Sequence, residues 1–367
     1  VSVTMIRIIQ VGLGVRGIQW ADVIRKHPDT TVVAYVRRQV DLARKQVAEW
    51  GETVPCFSTL DEALDSVTAD AVVLVTPPEY HFAEVLLAFS HRCHVICEKP
   101  LSEKMYECIE MVRQAEQNKL LLMAGMNFRY LAVTQKYRNL INEKTLGSIG
   151  YGHFTYIRNR NGNRKDLNKY PLSMLQPMLL EQSVHHFDLL RYCYGEEACR
   201  VSADTWRPYW STYDDDCCVS ASIRFTHGIQ AEYLGTWTSG CNRMQFEWRT
   251  DFSGGTIRQC HQFGDLYQSR MDPELSMTGA NFKTDPGIEP WKSIELDPCE
   301  AFVDDTYGLL CEFVDAFQGD KELVTSGKDH MKTLGLTLAC IESSLTGKRI
   351  ELHDFYKRNG VPSRWID

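Results

Sequence analysis

Short unbroken apolar runs alternate with helix-length amphipathic stretches over the first third of the chain. Ile6-Arg7-Ile8-Ile9-Gln10-Val11 predicts a buried strand stopped by Gly12, followed by a helix to about Lys26 and a turn at His27-Pro28-Asp29. Thr31 to Val36 predicts a second strand, and Asp41 to Trp50 a helix closing on Gly51. Ala69 to Thr76 is a third strand, broken by Pro77-Pro78. A helix from Glu79 to Ser90, a strand from Cys93 to Cys97, a helix from Ser102 to Asn118 and a strand from Leu120 to Met126 complete the series. This alternation predicts parallel βαβ units with right-handed crossovers, and the apolar strands fit a sheet covered on both faces.

Beyond Phe128 the pattern changes. A helix is expected from Val133 to Glu143, a half-exposed strand from Tyr151 to Arg158, and a polar, basic loop from Asn159 to Lys169. The stretch from Pro177 to Tyr194 predicts one helix, with proline at its start and Gly195 as its stop. Five strand-like runs between Cys199 and Leu266 predict an antiparallel meander. Ser269 to Glu300 has no readable period, and two helices, Ala301 to Gln318 and Lys328 to Thr346, follow. The expected fold class is α/β: a dinucleotide-type α/β domain over residues 1–128, then an α+β domain over 129–367.

Composition removes several classes. The 367 residues are 44% apolar and 24% charged, with a net charge of −8 and no basic run, which excludes a disordered chain and a nucleic-acid footprint. No stretch approaches the length of a membrane span. Thirteen cysteines, none in C-x-x-C spacing, read as buried reduced thiols, Cys217 and Cys218 included. With no secretory h-region in view, a cytoplasmic protein without membrane or nucleic-acid partners is expected.

Gly12-Leu13-Gly14-Val15-Arg16-Gly17 is G-x-G-x-x-G directly after a strand and opening a helix, the pattern that seats a pyrophosphate on a helix N-terminus. Where an acid would bond the ribose of NAD, the second strand meets Arg37-Arg38. Arginine there pairs with a 2′-phosphate, so NADP is the preferred cofactor. A solvated pair, or one stacked on adenine beside NAD, is the alternative. Glu98-Lys99-Pro100 follows a parallel strand, where ligands of open α/β sheets bind, and places a lysine donor beside a substrate hydroxyl or simply on the surface.

Glu181, His185 and Asp188 stand at i, i+4 and i+7, on one face of the expected helix. A carboxylate one turn before a histidine orients the ring and supports the imidazolium, which suits acid–base work near neutral pH. His186 lies about 100° round the helix, toward substrate or packing. A helical His/Glu metal site lacks a third strong ligand, so no metal is expected. Trp206, Trp210, Trp237 and Trp248 read mainly as sheet packing, with one or two available to a sugar face. Arg158-Asn159-Arg160 with Arg164-Lys165 is a solvated loop or a reader of an acidic substituent.

The glycine motif, T-P-P-E-Y-H at 76–81, E-K-P at 98–100 and E-x-x-x-H-H-F-D at 181–188, together with F-V-D-D-T at 302–306 and A-C-I-E-S-S at 339–344, occur in one order. The set resembles the glucose-fructose oxidoreductase / inositol dehydrogenase / rhizopine-catabolism family, Gfo/Idh/MocA. The resemblance implies nicotinamide-dependent oxidation or reduction of a sugar or polyol, by a homodimer or homotetramer. It implies catalytic roles for Lys99 and His185, with Glu181 where many members have Asp. It implies a Rossmann domain followed by a substrate-binding and oligomerisation domain on an open, mostly antiparallel sheet. Cofactor contacts are expected from Gly12, Gly14, Val15, Arg16, Gly17, Arg37, Arg38, Thr76, Pro77, His81, Glu98, Lys99 and Asn127, Arg37 departing from the acidic residue of many NAD-using members. Substrate contacts are expected from Lys99, Arg129, Tyr130, Arg158, Glu181, His185 and His186. Three alternatives stay open: glycoside cleavage by transient oxidation, hydride exchange between two sugars on a retained nucleotide, and a non-catalytic nucleotide sensor.

Overall fold

The computed structural model describes residues 5–165, 167–271 and 291–366. The chain divides into two compact units. One comprises Val1–Tyr130, Glu300–Leu334 and Lys357–Asp367; the other comprises Leu131–Cys299 and Gly335–Tyr356.

In the first unit, strands β1 (Ile6–Val11), β2 (Thr30–Val36), β3 (Cys56–Phe57), β4 (Ala71–Leu74), β5 (His94–Cys97) and β6 (Leu122–Ala124) form a sheet in the order β3-β2-β1-β4-β5-β6. Every pair is parallel. This is the doubly wound order, with its switch point between β1 and β4. Helices α1 (Val15–Lys26), α2 (Val40–Glu49), α3 (Leu60–Ser66), α4 (Pro78–Ser90) and α5 (Met105–Asn118) supply the crossovers. β3 and α3 are too short to show as an apolar run or an amphipathic period. Their signal was Thr59-x-x-Glu62, whose threonine hydroxyl accepts the Glu62 N–H at 3.3 Å and caps α3.

The division at 128/129 leaves out part of this unit. In the helix Asp304–Gln318, Leu309, Leu310, Phe313 and Val314 are buried in one core with Ile6, Trp20, Ile24 and Tyr35. An amphipathic helix joins whichever sheet buries its apolar stripe, whatever its place in the sequence.

The second unit holds helices α6 (Ala132–Asn142) and α7 (Val184–Tyr194) with strands β7 (Ile149–Ile157), β8 (Ala198–Trp206), β9 (Cys218–Phe225), β10 (Gln230–Thr236), β11 (Gln245–Phe252), β12 (Gly255–His261), β13 (Gly264–Arg270), β14 (Lys292–Ser293) and β15 (Ile350–Glu351). Among the described residues their order is β14-β13-β12-β11-β7-β10-β9-β8-β15. The single meander expected is instead two, β8-β9-β10 and β11-β12-β13, separated by β7. That strand is parallel to β10 and antiparallel to β11. Tyr137 stacks on Trp248 at 4.0 Å, and Phe154 packs edge-on to Phe246 at 5.3 Å, on the face the helices cover. Trp237 and Trp248 are buried as expected of packing residues, whereas Trp206 and Trp210 are exposed. Most of the unpatterned stretch 269–300 lies outside the described residues.

The helix expected from Pro177 to Tyr194 is two. Met178–Ser183 is a π-helical turn, and α7 continues from Val184. Ser183 Oγ donates to Met178 O, five residues back, at 3.0 Å, a spacing that fits the wide turn. Gln176, which precedes the turn, has a φ of +46°. Gly195 closes α7 at φ +66°, donating to Arg191 O as expected of a C-terminal glycine.

Candidate active site

In the first unit the proposed cofactor residues collect at the carboxyl ends of the strands. β1 leads into the glycine turn, β4 into Thr76-Pro77, β5 into Glu98-Lys99, and β6 toward Asn127. Gly12 has a φ of +96°, and a Cβ there would stand 2.5 Å from Val75 O, so the turn requires glycine. A Cβ on Gly17 would stand 2.2 Å from Gly12 O, whereas one on Gly14 meets nothing within 4 Å. The backbone is thus packed beneath and open at Gly14, beside exposed Val15 at the start of α1. That arrangement fits a pyrophosphate. Gln10, which the sequence reading missed, holds the turn through bonds from Nε2 to Gly12 O (3.1 Å) and Gly17 O (2.6 Å).

Arg16 turns away from the glycine loop. Its Nε donates to Glu98 Oε1 at 2.7 Å and its Nη1 to Thr306 Oγ1 at 2.8 Å. Trp20 Nε1, one helical turn on, donates to the same Glu98 oxygen at 2.7 Å. Burial opposes the charge of Glu98, yet Arg16, Trp20 and Lys99 together hold its carboxyl below the usual range. Glu98 therefore braces the loop that carries Lys99 and does not reach outward itself. Asn127 Nδ2 donates to Asp305 Oδ2 at 2.6 Å, and burial pushes the Asp305 carboxyl up to about 6.

Several expected ligand contacts are used up internally. The ring nitrogens of buried His81 lie 2.9 Å from Pro100 O and Thr76 O, so His81 ties two loops together and keeps no nitrogen for a nucleotide. The Thr76 hydroxyl donates to Glu84 at 2.5 Å. Arg129 is buried, ion-paired with Asp329 and bonded to Val324 O at 3.0 Å; Tyr130 donates to Glu312. Both were expected at substrate, and both instead anchor the C-terminal segments of this unit. Arg37 Nη1 reaches back to Leu13 O at 3.2 Å, and Arg38 lies over the Tyr80 ring at 5.6 Å.

In the second unit, His185 is buried on the first turn of α7, and Glu181 is half-buried in the π-helical turn. Because that turn is wide, the 100°-per-residue spacing that put Glu181 and His185 on one face does not hold between them. His186 is a packing residue. Gln182 Nε2 donates to its Nε2 at 3.1 Å, and its Nδ1–H donates to Tyr233 OH at 2.7 Å. Tyr233 OH in turn donates to Ser183 Oγ at 2.9 Å. The donors run in one direction from Gln182 to Met178 O, which fixes the neutral Nδ1–H tautomer. The His186 ring also stacks on Phe154 at 4.5 Å, and burial pushes its pKa down to about 3. An offset of one residue from His185 carries no information about this network, so Gln182, Ser183 and Tyr233 went unpredicted.

The model of the oxidoreductase family with an NAD-binding Rossmann fold, GFO_IDH_MocA, matches residues 6–126, and the model of the GFO/IDH/MocA C-terminal domain matches residues 134–258. The chain belongs to the GFO/IDH/MocA family. As a member it is an NAD-binding oxidoreductase with a Rossmann domain and a mixed, mostly antiparallel second sheet. It is 25% identical to D-apiose dehydrogenase of Rhizobium rhizogenes over 77% of this chain and 79% of that one. It is 26% identical to myo-inositol 2-dehydrogenase of Thermotoga maritima over 54% of this chain and 58% of that one. An oxidoreductase from Agrobacterium radiobacter, solved with NAD+, L-tartaric acid and magnesium, shares the fold at a TM-score of 0.83 and 17% identity, covering 96% of this chain and 99% of that one. Among the described residues no helix of this GFO/IDH/MocA chain is long and apolar enough to cross a membrane. Nor does any group of three or more His, Cys, Asp or Glu there have the arrangement of a metal site. None of the thirteen cysteines is in a disulfide; Cys217 and Cys218 are buried as expected, whereas Cys241 is exposed.

Proposed function

We propose that this chain is a nicotinamide-dependent dehydrogenase acting on a hydroxyl of a sugar, polyol or sugar derivative. The supporting observation is the Arg16–Glu98 contact, which fastens Lys99 to the glycine turn at the switch point of the first sheet. The inositol and apiose dehydrogenases among its relatives point to the same substrate class. Bound nicotinamide supplies the hydride acceptor.

The chain's own part is to hold the nucleotide and manage one proton. Gly12, Gly14, Val15 and Gly17 seat the pyrophosphate, and Thr76, Pro77 and Asn127 flank the nicotinamide half. Lys99 Nζ donates to the substrate oxygen and stabilises the negative charge that develops as the carbinol C–H bond breaks. His185 takes the hydroxyl proton, and Glu181 supports the resulting imidazolium. Arg37 and Arg38 favour NADP by pairing with its 2′-phosphate, NAD being the alternative. The half-exposed face of the second sheet is proposed to pair with another copy in a homodimer or homotetramer.

The test is a panel of sugars and polyols incubated with NAD+ and NADP+ separately, read by absorbance of the reduced nicotinamide. Reduction with one substrate class is expected. Silence across the panel with both nucleotides contradicts the proposal.

A further inference from the structure

Tyr156 is fully buried on β7, and its hydroxyl has no hydrogen-bond partner. The same holds for the indole N–H of Trp237, just past the end of β10. Buried polar groups are seldom left unpaired, so two within one region point to a ligand. Both stand on the face that bears the His185 helix. The Tyr156 ring is 4.9 Å from His186, and its partner across the parallel ladder is Gly235, where a Cβ would stand 2.5 Å from Met178 Cε of the π-helical turn.

The chain continues from Tyr156 through Arg158 to Arg160. With alternation along an extended strand, Arg158 falls on the same face roughly 7 Å beyond Tyr156. Arg160 confirms that direction: its guanidinium lies over the Trp237 ring at 4.3 Å. Its Nη1 donates to Tyr213 OH at 3.0 Å, and Tyr213 OH donates back to Arg160 O at 2.6 Å. Burial pushes the Tyr213 hydroxyl up, and the positive charges of Arg160 and Arg158 oppose that shift. Neither arginine is ion-paired with a carboxylate among the described residues. Asp216, near Tyr213 in sequence, is occupied with Thr205 at 2.7 Å and Gln176 at 3.4 Å.

We propose that Arg158 and Arg160, backed by Trp237 and Tyr213, form a subsite for an anionic substituent of the sugar, a carboxylate or a phosphate, while Tyr156 OH and Trp237 Nε1 bond its hydroxyl groups. A guanidinium stacked on an aromatic ring and held by a phenol is preorganised, and its unused N–H groups form a fork that suits an oxyanion. This deepens the dehydrogenase reading by naming the substrate class, and it rests on that reading only for the word substrate.

The experiment is equilibrium binding by titration calorimetry, which needs no turnover. The ligands are D-glucuronate, D-galacturonate, D-gluconate and D-glucose 6-phosphate, set against neutral D-glucuronamide and D-glucose. At least one anion is expected to bind about 10- to 100-fold more tightly than the neutral sugars, the scale of one charge-assisted contact. Arg158→Ala, whose side chain holds no other group among the described residues, and Arg160→Lys, which keeps charge but loses the fork, should each shrink that preference. Tyr156→Phe should weaken anionic and neutral sugars alike. Which anion binds identifies the source, carboxylate or phosphate. The proposal is overturned if no anion exceeds the neutral sugars, or if the preference survives both arginine variants. Nicotinamide binding, measured separately, tests the dehydrogenase reading and stands or falls apart from this result.

Discussion

Arg16 Nε donates to Glu98 Oε1 at 2.7 Å, so the glycine turn and the residue before Lys99 are one mechanical unit. Glu98 is buried, and the Arg16 side chain is only one-fifth exposed. Glu98→Gln leaves that guanidinium without its counter-charge, which costs roughly 3 kcal/mol, toward the low end for breaking a buried pair because the amide still accepts. Chemical denaturation at neutral pH should report that loss, together with a fall in kcat. The carboxyl is held below its usual range, so its contribution is present above the unfolded value of about 4.3 and disappears as pH falls through the folded one. The gap between wild type and variant should therefore close in acid. A constant gap down to acid would mean the charge of Glu98 is not what the variant removes.

Gly14 and Gly17 separate a binding role from a folding role. Around Gly14 a methyl group meets nothing within 4 Å, and its φ of −79° is open to alanine. Gly14→Ala should keep wild-type stability to within about 0.5 kcal/mol, as a substitution away from any packed feature does, yet weaken nucleotide binding. Gly17→Ala pushes a Cβ against the Gly12 carbonyl and should destabilise the unit. Nucleotide affinity unchanged in Gly14→Ala would remove the pyrophosphate from this turn.

Arg37 and Arg38 are proposed to decide between nucleotides. Replacing both with alanine should weaken NADP+ at least tenfold more than NAD+, since a charge-assisted bond to the 2′-phosphate is worth about 1.5–3 kcal/mol. Equal losses would show that the pair serves the adenosine in general, as the placement of Arg38 over Tyr80 would also permit.

His186 stabilises the fold and does not titrate near neutral pH. Its folded pKa is about 3 against about 6.5 unfolded, so the unfolded chain binds the extra proton between those values. The contribution is complete above about pH 6.5 and is lost on acidification toward pH 3, at up to about 1.4 kcal/mol per pH unit. Denaturation of His186→Phe across this range should show a shallower pH dependence than wild type. The value of kcat/KM at neutral pH should stay within about tenfold of wild type in that variant. A loss on the scale expected of His185→Ala would place the catalytic proton on His186.

The parallel sheet was legible because its longer strands are short apolar runs, several of them followed closely by Gly or Pro, and the glycine turn because its spacing is local. What stayed hidden depends on distance in sequence. Trp20, Asp305 and Thr306 join Arg16, Glu98 and Asn127 only after the sheet and the helix Asp304–Gln318 have formed. Arg129 and Tyr130 were expected at the ligand because G-M-N-F-R-Y resembles a family segment close to the nicotinamide and substrate. Their partners Asp329 and Glu312 lie some 200 and 182 residues on. The π-helical turn was invisible for another reason. Periodicity assumes 3.6 residues per turn, and one inserted wide turn changes the rotation between Glu181 and His185 without altering the sequence pattern.

The proposed reaction is direct hydride transfer from a carbinol carbon, with His185 taking the proton. It is tested by giving the enzyme its active substrate deuterated at that carbon, with oxidised nucleotide, and weighing the nicotinamide product. The label should appear in the reduced nicotinamide, and His185→Ala should slow its appearance by about 100- to 10,000-fold. Reduced nucleotide without deuterium, or a His185→Ala rate within tenfold of wild type, would contradict the account.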